Sequence, residues 1–366
     1  MKIISLFSKA PFPLLCLLLI LFSLTGCTKE SKKTLHLSRA DSYFKKGQNE
    51  KARIEYLNVL RLDPTNAIAI RQIGEIYYNQ GEIRPAFTYL NKSKELLPQD
   101  LEVRRLLSRI YLSAGQKAEA RAEANAILEK SPDNDDAILM LADTISKREE
   151  IEKTRSQIQL LKAQIGERVA LKMVSGKLLL LEGKLAEAEA AFAEAKKIDP
   201  KFTPVYLAEA GIYASRRDTN AANQAFEMAV QFSRSKAETE LMWADFKARS
   251  GALDDAKKLI GDVLTATPDY LPALGYSAKI ALQEKQYDTA AQLTKKILAR
   301  DNLNYDAQLV NARIHLAQGE VPKAIQVLEQ LQDQYPKSPQ LHYQCAEAYL
   351  MNNQRAKAIT SLSRAV

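Results

Sequence analysis

The feature that most constrains this chain is a proline that returns at a fixed interval. Pro64, Pro98, Pro132, Pro200, Pro268 and Pro336 are separated by 34 or 68 residues, so all six stand in one 34-residue register. A period of that length marks a solenoid built from short supersecondary units, each burying its apolar face on its neighbours. Chain length is then no guide to domain number, because one continuous stack can absorb all 366 residues.

Other phases of the register carry the same message. Twelve residues before each proline position stand Ala52, Ala86, Ala120, Thr154, Ala188, Ala222, Ala256, Ala290, Ala324 and Ala358. Twelve earlier again stand Ala40, Gly74, Ser108, Ala142, Gly176, Ala210, Ala244, Ala278, Ala312 and Ala346. Two antiparallel helices approach closely only where neither carries bulk, so paired small positions predict a helix–turn–helix hairpin in every unit. Tyr43, Tyr77, Tyr111, Tyr213 and Tyr349, with Tyr56, Phe192 and Phe226, are placed to fill the space around that contact. Gly47, Gly81, Gly115, Gly183, Gly251 and Gly319 fall at the hairpin turn, where a positive φ ends the first helix.

Taken together, these positions resemble the tetratricopeptide repeat family, with ten units covering Lys33 to Val366. The resemblance implies an all-α, right-handed superhelical solenoid of about ten such units. The fourth unit, 135–168, departs from the pattern: Glu149 replaces the turn glycine, Thr154 the second small residue and Gly166 the proline. Either it stacks as a degenerate repeat or it forms a joint. The unbroken register favours stacking, and Thr154 suggests that a larger residue is tolerated there. The tenth unit stops at Val366 inside its second helix, leaving Ala358, Leu362 and Ala365 without a following repeat to cover them. That predicts an uncapped apolar end, prone to self-association unless a partner or further chain covers it.

The first 26 residues form a region of their own. A cationic start, an apolar core from Leu14 to Phe22 and small residues before Cys27 make a secretory signal. The core is short against the roughly 20 residues of a membrane span. Leu24-Thr25-Gly26-Cys27 resembles a bacterial lipobox, which implies cleavage after Gly26 and lipid on Cys27. Residues 27–32 would then be the lipidated N-terminus and a polar tether. With two or more acyl chains the anchoring is stable. Thr28 after the cysteine resembles outer-membrane sorting, facing the periplasm. Cys16 leaves with the signal and Cys27 is used by lipid, so only Cys345 remains, as a buried small hydrophobe without a disulfide partner.

No enzymatic motif stands out. His36, His315 and His342 are isolated from one another and lack ligand spacing, so they read as structural and no metal or other cofactor is expected. Acidic runs such as Asp133-Asn134-Asp135-Asp136 open helices. The formal charge of +8, from 52 basic and 44 acidic residues interspersed, gives no basic patch for nucleic acid.

Binding is the remaining function class. In the family that the repeats resemble, first helices line a concave groove. Carried onto this chain, the groove-facing phases supply Glu75, Tyr78, Arg105, Arg109, Asp143, Lys177, Asp245, Lys279, Arg313, Tyr343 and Glu347 as candidate peptide-binding residues. Leucines at two of these phases, such as Leu139, Leu207, Leu282 and Leu316, serve equally as groove lining or as packing between helices. A lipobox before a long array is similar to the tetratricopeptide lipoproteins of exopolysaccharide and exosortase (PEP-CTERM) systems. It implies a non-catalytic, lipid-anchored scaffold that binds other envelope proteins. Assembly of outer-membrane, pilus or secretin components, or a tether to the cell wall, are the alternatives.

Overall fold

A computed structural model describes residues 12–336 and 338–365, with side chains from residue 29 onward. The described residues form twenty α-helices and no strands. They pair as α1 (Phe12–Lys45) with α2 (Asn49–Leu62), α3 (Ala67–Asn79) with α4 (Ile83–Leu96), α5 (Leu101–Ser113) with α6 (Lys117–Lys130), and α7 (Asp135–Asp143) with α8 (Glu149–Ile165). The series continues with α9 (Val169–Leu181) and α10 (Leu185–Ile198), α11 (Thr203–Ser215) and α12 (Thr219–Phe232), α13 (Lys236–Arg249) and α14 (Leu253–Ala266). It ends with α15 (Leu271–Gln283) and α16 (Tyr287–Arg300), α17 (Tyr305–Ala317) and α18 (Val321–Gln334), α19 (Pro339–Met351) and α20 (Arg355–Ala365). This is the all-helical, solenoid-like arrangement that the register predicts. Two compact units are delimited, one running to Tyr78 and resuming over Pro85–Leu106, the other comprising Asn79–Arg84 and the chain from Leu107 on.

Each hairpin is closed by the small positions. In the first unit Ala40 and Ala52 are fully buried, with Tyr56, Val59, Ile73 and Ile76 around them. A Cβ on Gly74 would stand 2.9 Å from Leu90 Cγ, so this contact admits nothing larger without a shift. In the second unit a Cβ on Gly176 would overlap the Phe192 ring, which fills the space glycine leaves. Ala210 with Ala222, Ala244 with Ala256, Ala278 with Ala290, Ala312 with Ala324 and Ala346 with Ala358 repeat the theme, all essentially buried. Ala358 is therefore covered by its own hairpin rather than left wet, whereas Ile359 and Leu362 of α20 are exposed.

Turn and cap chemistry punctuates the units. The six turn glycines have φ between +68° and +88°. Arg217, Lys285 and Asn353 take the same position in the sixth, eighth and tenth units, at φ of 61°, 61° and 57°. Asn66, Asn134 and Asn304 cap the next first helix, each side-chain oxygen accepting a backbone N–H at 2.9–3.0 Å. Such caps contribute about 1 kcal/mol each.

The fourth repeat stacks, with α7 lying against both α6 and α9. Its hairpin differs in proportion: α7 stops at Asp143 after nine residues and α8 runs for 17. The Glu150 carboxylate accepts from the Ser146 and Lys147 amides at 2.6 and 3.2 Å, in a turn with no positive φ among its residues. Those two backbone donors hold Glu150 below the ordinary carboxylate range. Thr154 is not a tolerated enlargement. It is fully buried, and its Oγ1 accepts from Arg121 Nη2 at 2.8 Å.

At the other end α1 is continuous from Phe12, so residues 27–32, expected as the lipidated N-terminus and tether, are helical. The side chains of Cys27 and of the whole expected signal, 1–26, lie outside those described. Among the described residues no helix is long and apolar enough to cross a membrane.

Candidate functional site

The candidate binding residues sit on first helices, as their phase requires, but most are already engaged within the chain. In the first unit Arg105 donates two bonds to the Glu102 carboxylate, at 2.6 and 2.7 Å. Glu75 lies one repeat earlier, on α3, partly buried, and burial raises its carboxyl above the ordinary value against the opposing pull of Arg71. Arg71 Nε is 2.8 Å from Asp100. Tyr78 is half-buried on the same helix as Glu75.

In the second unit the charges form a ladder between successive first helices. Lys177 Nζ reaches Asp143 Oδ1 at 2.7 Å, and Lys279 Nζ reaches Asp306 Oδ1 at 2.8 Å while lying over the Tyr276 ring. Asp245 pairs with Arg249 along its own helix at 2.6 Å. Arg109 pairs with Glu238 of α13, four repeats on, a partner that no neighbour-to-neighbour register could announce. Exposed ion pairs of this kind contribute little individually, roughly 0–1 kcal/mol.

Arg313 of α17 and Glu347 of α19 differ. Both are exposed, and among the described residues neither has an ion-pair partner. They line a cavity of about 480 Å³ formed where the ends of α15, α17 and α19 come together with the α15–α16 turn. Leu282, Leu316, Ala317 and Met351 supply its apolar wall, and Gln344 and Lys285 its other polar groups. Met351 is half exposed, and Tyr343 and Leu350 of the same helix are exposed as well. The structure thus brings Arg313 and Glu347 to one opening and leaves Tyr343 outside its lining.

The leucines left open by periodicity divide unevenly. Leu139, Leu180, Leu207, Leu282 and Leu309 are partly buried against core clusters, and Leu241 is buried outright. They mostly pack between helices.

The other sequence candidates are accounted for by local contacts. His36 Nδ1 is 2.5 Å from Glu55, and His315 Nδ1 is 2.7 Å from Glu320. Buried His342 is held by Gln332 at 2.6 Å and the Pro336 carbonyl at 2.9 Å. No group of three or more potential metal ligands occurs among the described residues. Cys345 is buried, and burial pushes its thiol up to about 11.

Three family models match the chain, each described as a tetratricopeptide repeat: over residues 40–81, 84–135 and 281–343. Among curated proteins it is 20% identical over 277 residues to the TPR repeat-containing protein YpiA of Bacillus subtilis strain 168, across 73% of this chain and 63% of that one. The chain thus spans less than two thirds of that relative's length. Among solved structures it is similar to the Cut9–Hcn1 hetero-tetramer of the APC/C, at 16% identity and a TM-score of 0.54 over 91% of this chain and 72% of that one. The yeast Tom70 crystal structure matches at 14% identity and a TM-score of 0.46, covering 92% of each chain. No enzyme family is indicated by these matches.

Proposed function

We propose that this chain, built of tetratricopeptide repeats, is a non-catalytic scaffold of the bacterial cell envelope, attached by lipid on Cys27 and gathering other envelope proteins for polysaccharide export or secretion. Its repeats are suited to protein–protein interaction. The observation that carries the reading is the cavity between α15, α17 and α19. Arg105, Arg109, Asp143, Lys177, Asp245 and Lys279 have ion partners within the chain, whereas Arg313 and Glu347, without ion partners among the described residues, face an apolar-walled opening. An opening with an apolar floor and two opposite charges fits a peptide segment with one apolar anchor, one acid and one cation beside it.

The envelope part of the reading is supported by Leu24-Thr25-Gly26-Cys27 and the apolar run before it. Cys27→Ala is expected to abolish fatty-acid labelling and shift the protein out of the membrane fraction, since acyl chains supply the membrane affinity. Retention in the membrane with the leader uncut would make residues 1–26 an anchor instead.

For the binding part, proteins cross-linked in intact envelopes to a photoreactive residue at Gln344 would be compared with those captured from Arg313→Glu and Glu347→Lys backgrounds. A defined client lost in both variants is the expected outcome. Identical cross-linking in all three backgrounds would remove this cavity as the binding site.

A further inference from the structure

The junction between the sixth and seventh repeats is filled by a tryptophan, and the next junction is not. Trp243 of α13 reaches back to α12, where its Nε1 donates to Asn223 Oδ1 at 2.8 Å. Its ring packs on the core cluster that holds Phe226 and Phe246. One 34-residue step further on, the register puts Lys257 at the place of Asn223, Ile260 at that of Phe226 and Ile280 at that of Phe246, while the tryptophan position is Ser277. These four residues line a cavity of about 210 Å³ between α14, α15 and α16.

A second departure from the register widens the space. Gly261, also in the lining, stands inside α14, where the same phase carries Leu57, Glu227 and Lys295 in the first, sixth and eighth repeats and glycine in no other. Glycine is unfavourable inside a helix, and a Cβ here would meet nothing within 4 Å, so no close packing calls for it. Leu264, Ala281 and Leu293 complete an apolar wall with Ile260 and Ile280. The charged groups of the lining are Lys257 and Glu284, with Lys257 Nζ donating to Glu284 Oε1 at 2.7 Å; Glu284 Oε2 has no hydrogen-bond partner among the described residues.

We propose that this cavity is a binding site for one aromatic ring system of the indole class, held as the chain holds its own Trp243 one repeat earlier. At about 210 Å³ it exceeds the roughly 150 Å³ of an apolar cavity that takes up benzene and falls short of the roughly 300–1,000 Å³ of sites for larger ligands. A single ring system is the size that remains. The apolar wall receives the body of the ring, and Glu284 Oε2 accepts its N–H, the part that Asn223 plays for Trp243. A tryptophan side chain on a partner and a free indole compound carry the same recognition chemistry. None of the lining is shared with the Arg313 and Glu347 cavity, so the site stands independently of the function proposed there.

The test is titration of the full chain, its isoleucine methyls labelled for NMR, with indole. The Ile260 and Ile280 methyl signals should shift under the ring current and saturate, with a dissociation constant on the order of 1 mM or tighter. Ile325, outside the lining, should not move. Indene, the same ring frame without the N–H, should bind at least roughly tenfold more weakly, since it leaves the carboxylate without its hydrogen bond. Ser277→Trp supplies the ring from the chain itself and should abolish the shifts. Gly261→Leu closes the cavity from α14 and should do the same, whereas Gly211→Ala, at an equally open helical glycine elsewhere, should leave the titration unchanged. N-acetyltryptophanamide separates the two sources: shifts like those of indole mark a partner's tryptophan, and their absence marks a free ring compound. The site is overturned by no saturable shift at Ile260 and Ile280 in the unmodified protein, by equal binding of indole and indene, or by unchanged indole binding in folded Gly261→Leu.

Discussion

Arg121 of α6 donates through one guanidinium nitrogen to Thr154 Oγ1 of α8, at 2.8 Å, where every other repeat has alanine. The same guanidinium reaches the Leu141 carbonyl at 3.1 Å and Thr144 Oγ1 at 3.0 Å. Burial holds Arg121 below its ordinary value, against a smaller opposing pull from Glu150. In the fourth repeat the second small position is thus tied to a partly buried cation held by neutral acceptors. Thr154→Val keeps the shape and removes the acceptor, so it should destabilise by roughly 1–3 kcal/mol, the cost of a polar group left unsatisfied. A urea midpoint equal to that of the unmodified protein would show that Arg121 needs no acceptor there.

Lys285 and Arg217 occupy turn positions at φ of 61° that other repeats give to glycine. A side chain in this region is strained, and the gain from relieving it exceeds the entropy that glycine adds to the unfolded chain. Lys285→Gly and Arg217→Gly should each stabilise by about 0.5–1 kcal/mol. Asn353→Gly should gain less, because asparagine tolerates the left-handed region. Thermal midpoints measured side by side rank the three.

Two helical glycines should respond oppositely to the same added methyl. Gly176→Ala drives a Cβ into the Phe192 ring and should cost roughly 1–3 kcal/mol through overpacking. Gly211→Ala in α11 meets nothing within 4 Å and should stabilise by about 0.5–1 kcal/mol through helix propensity. Urea denaturation of the two variants reads the difference in sign directly.

Cys345 sets an alkaline limit. Its thiol ionises at about 11 in the folded chain against an ordinary 9.0, chiefly through burial and secondarily through Glu329. Below pH 9 both states keep the proton and the native state has its full advantage. As pH rises from 9 toward 11 the unfolded thiol ionises first, so stability falls across that window. Replacing the thiol by Cys345→Ala should flatten this part of the stability–pH curve. Alkylation at pH 8 should be slow in the folded protein and fast in urea.

The 34-residue register made the hairpins legible because alanine and glycine recur wherever two helices of one unit touch, as at Ala40 and Ala52. It also placed the turn glycines, whose positive φ is a local property. Contacts beyond the neighbouring repeat stayed hidden. Gly81 looks explained by its φ alone, and only the fold shows Pro272 against it. Arg109 and Arg313 share one phase, yet the first has Glu238 and the second lines a cavity. The leucines beside them were ambiguous because one helical stripe serves packing and recognition alike. Helix lengths in the fourth repeat were likewise obscured, since its turn is closed by the Glu150 carboxylate on two backbone amides rather than by a positive-φ residue.

The ladder that joins Asp143 to Lys177 and Lys279 to Asp306 has a kinetic consequence. Opposite charges neutralised a few ångströms apart project almost no field beyond a Debye length of about 10 Å. A partner approaching this face is not drawn in from a distance, and its arrival should follow ordinary collision at roughly 10⁵–10⁷ M⁻¹s⁻¹ with little dependence on salt. Discrimination between right and wrong partners then falls to how long each stays.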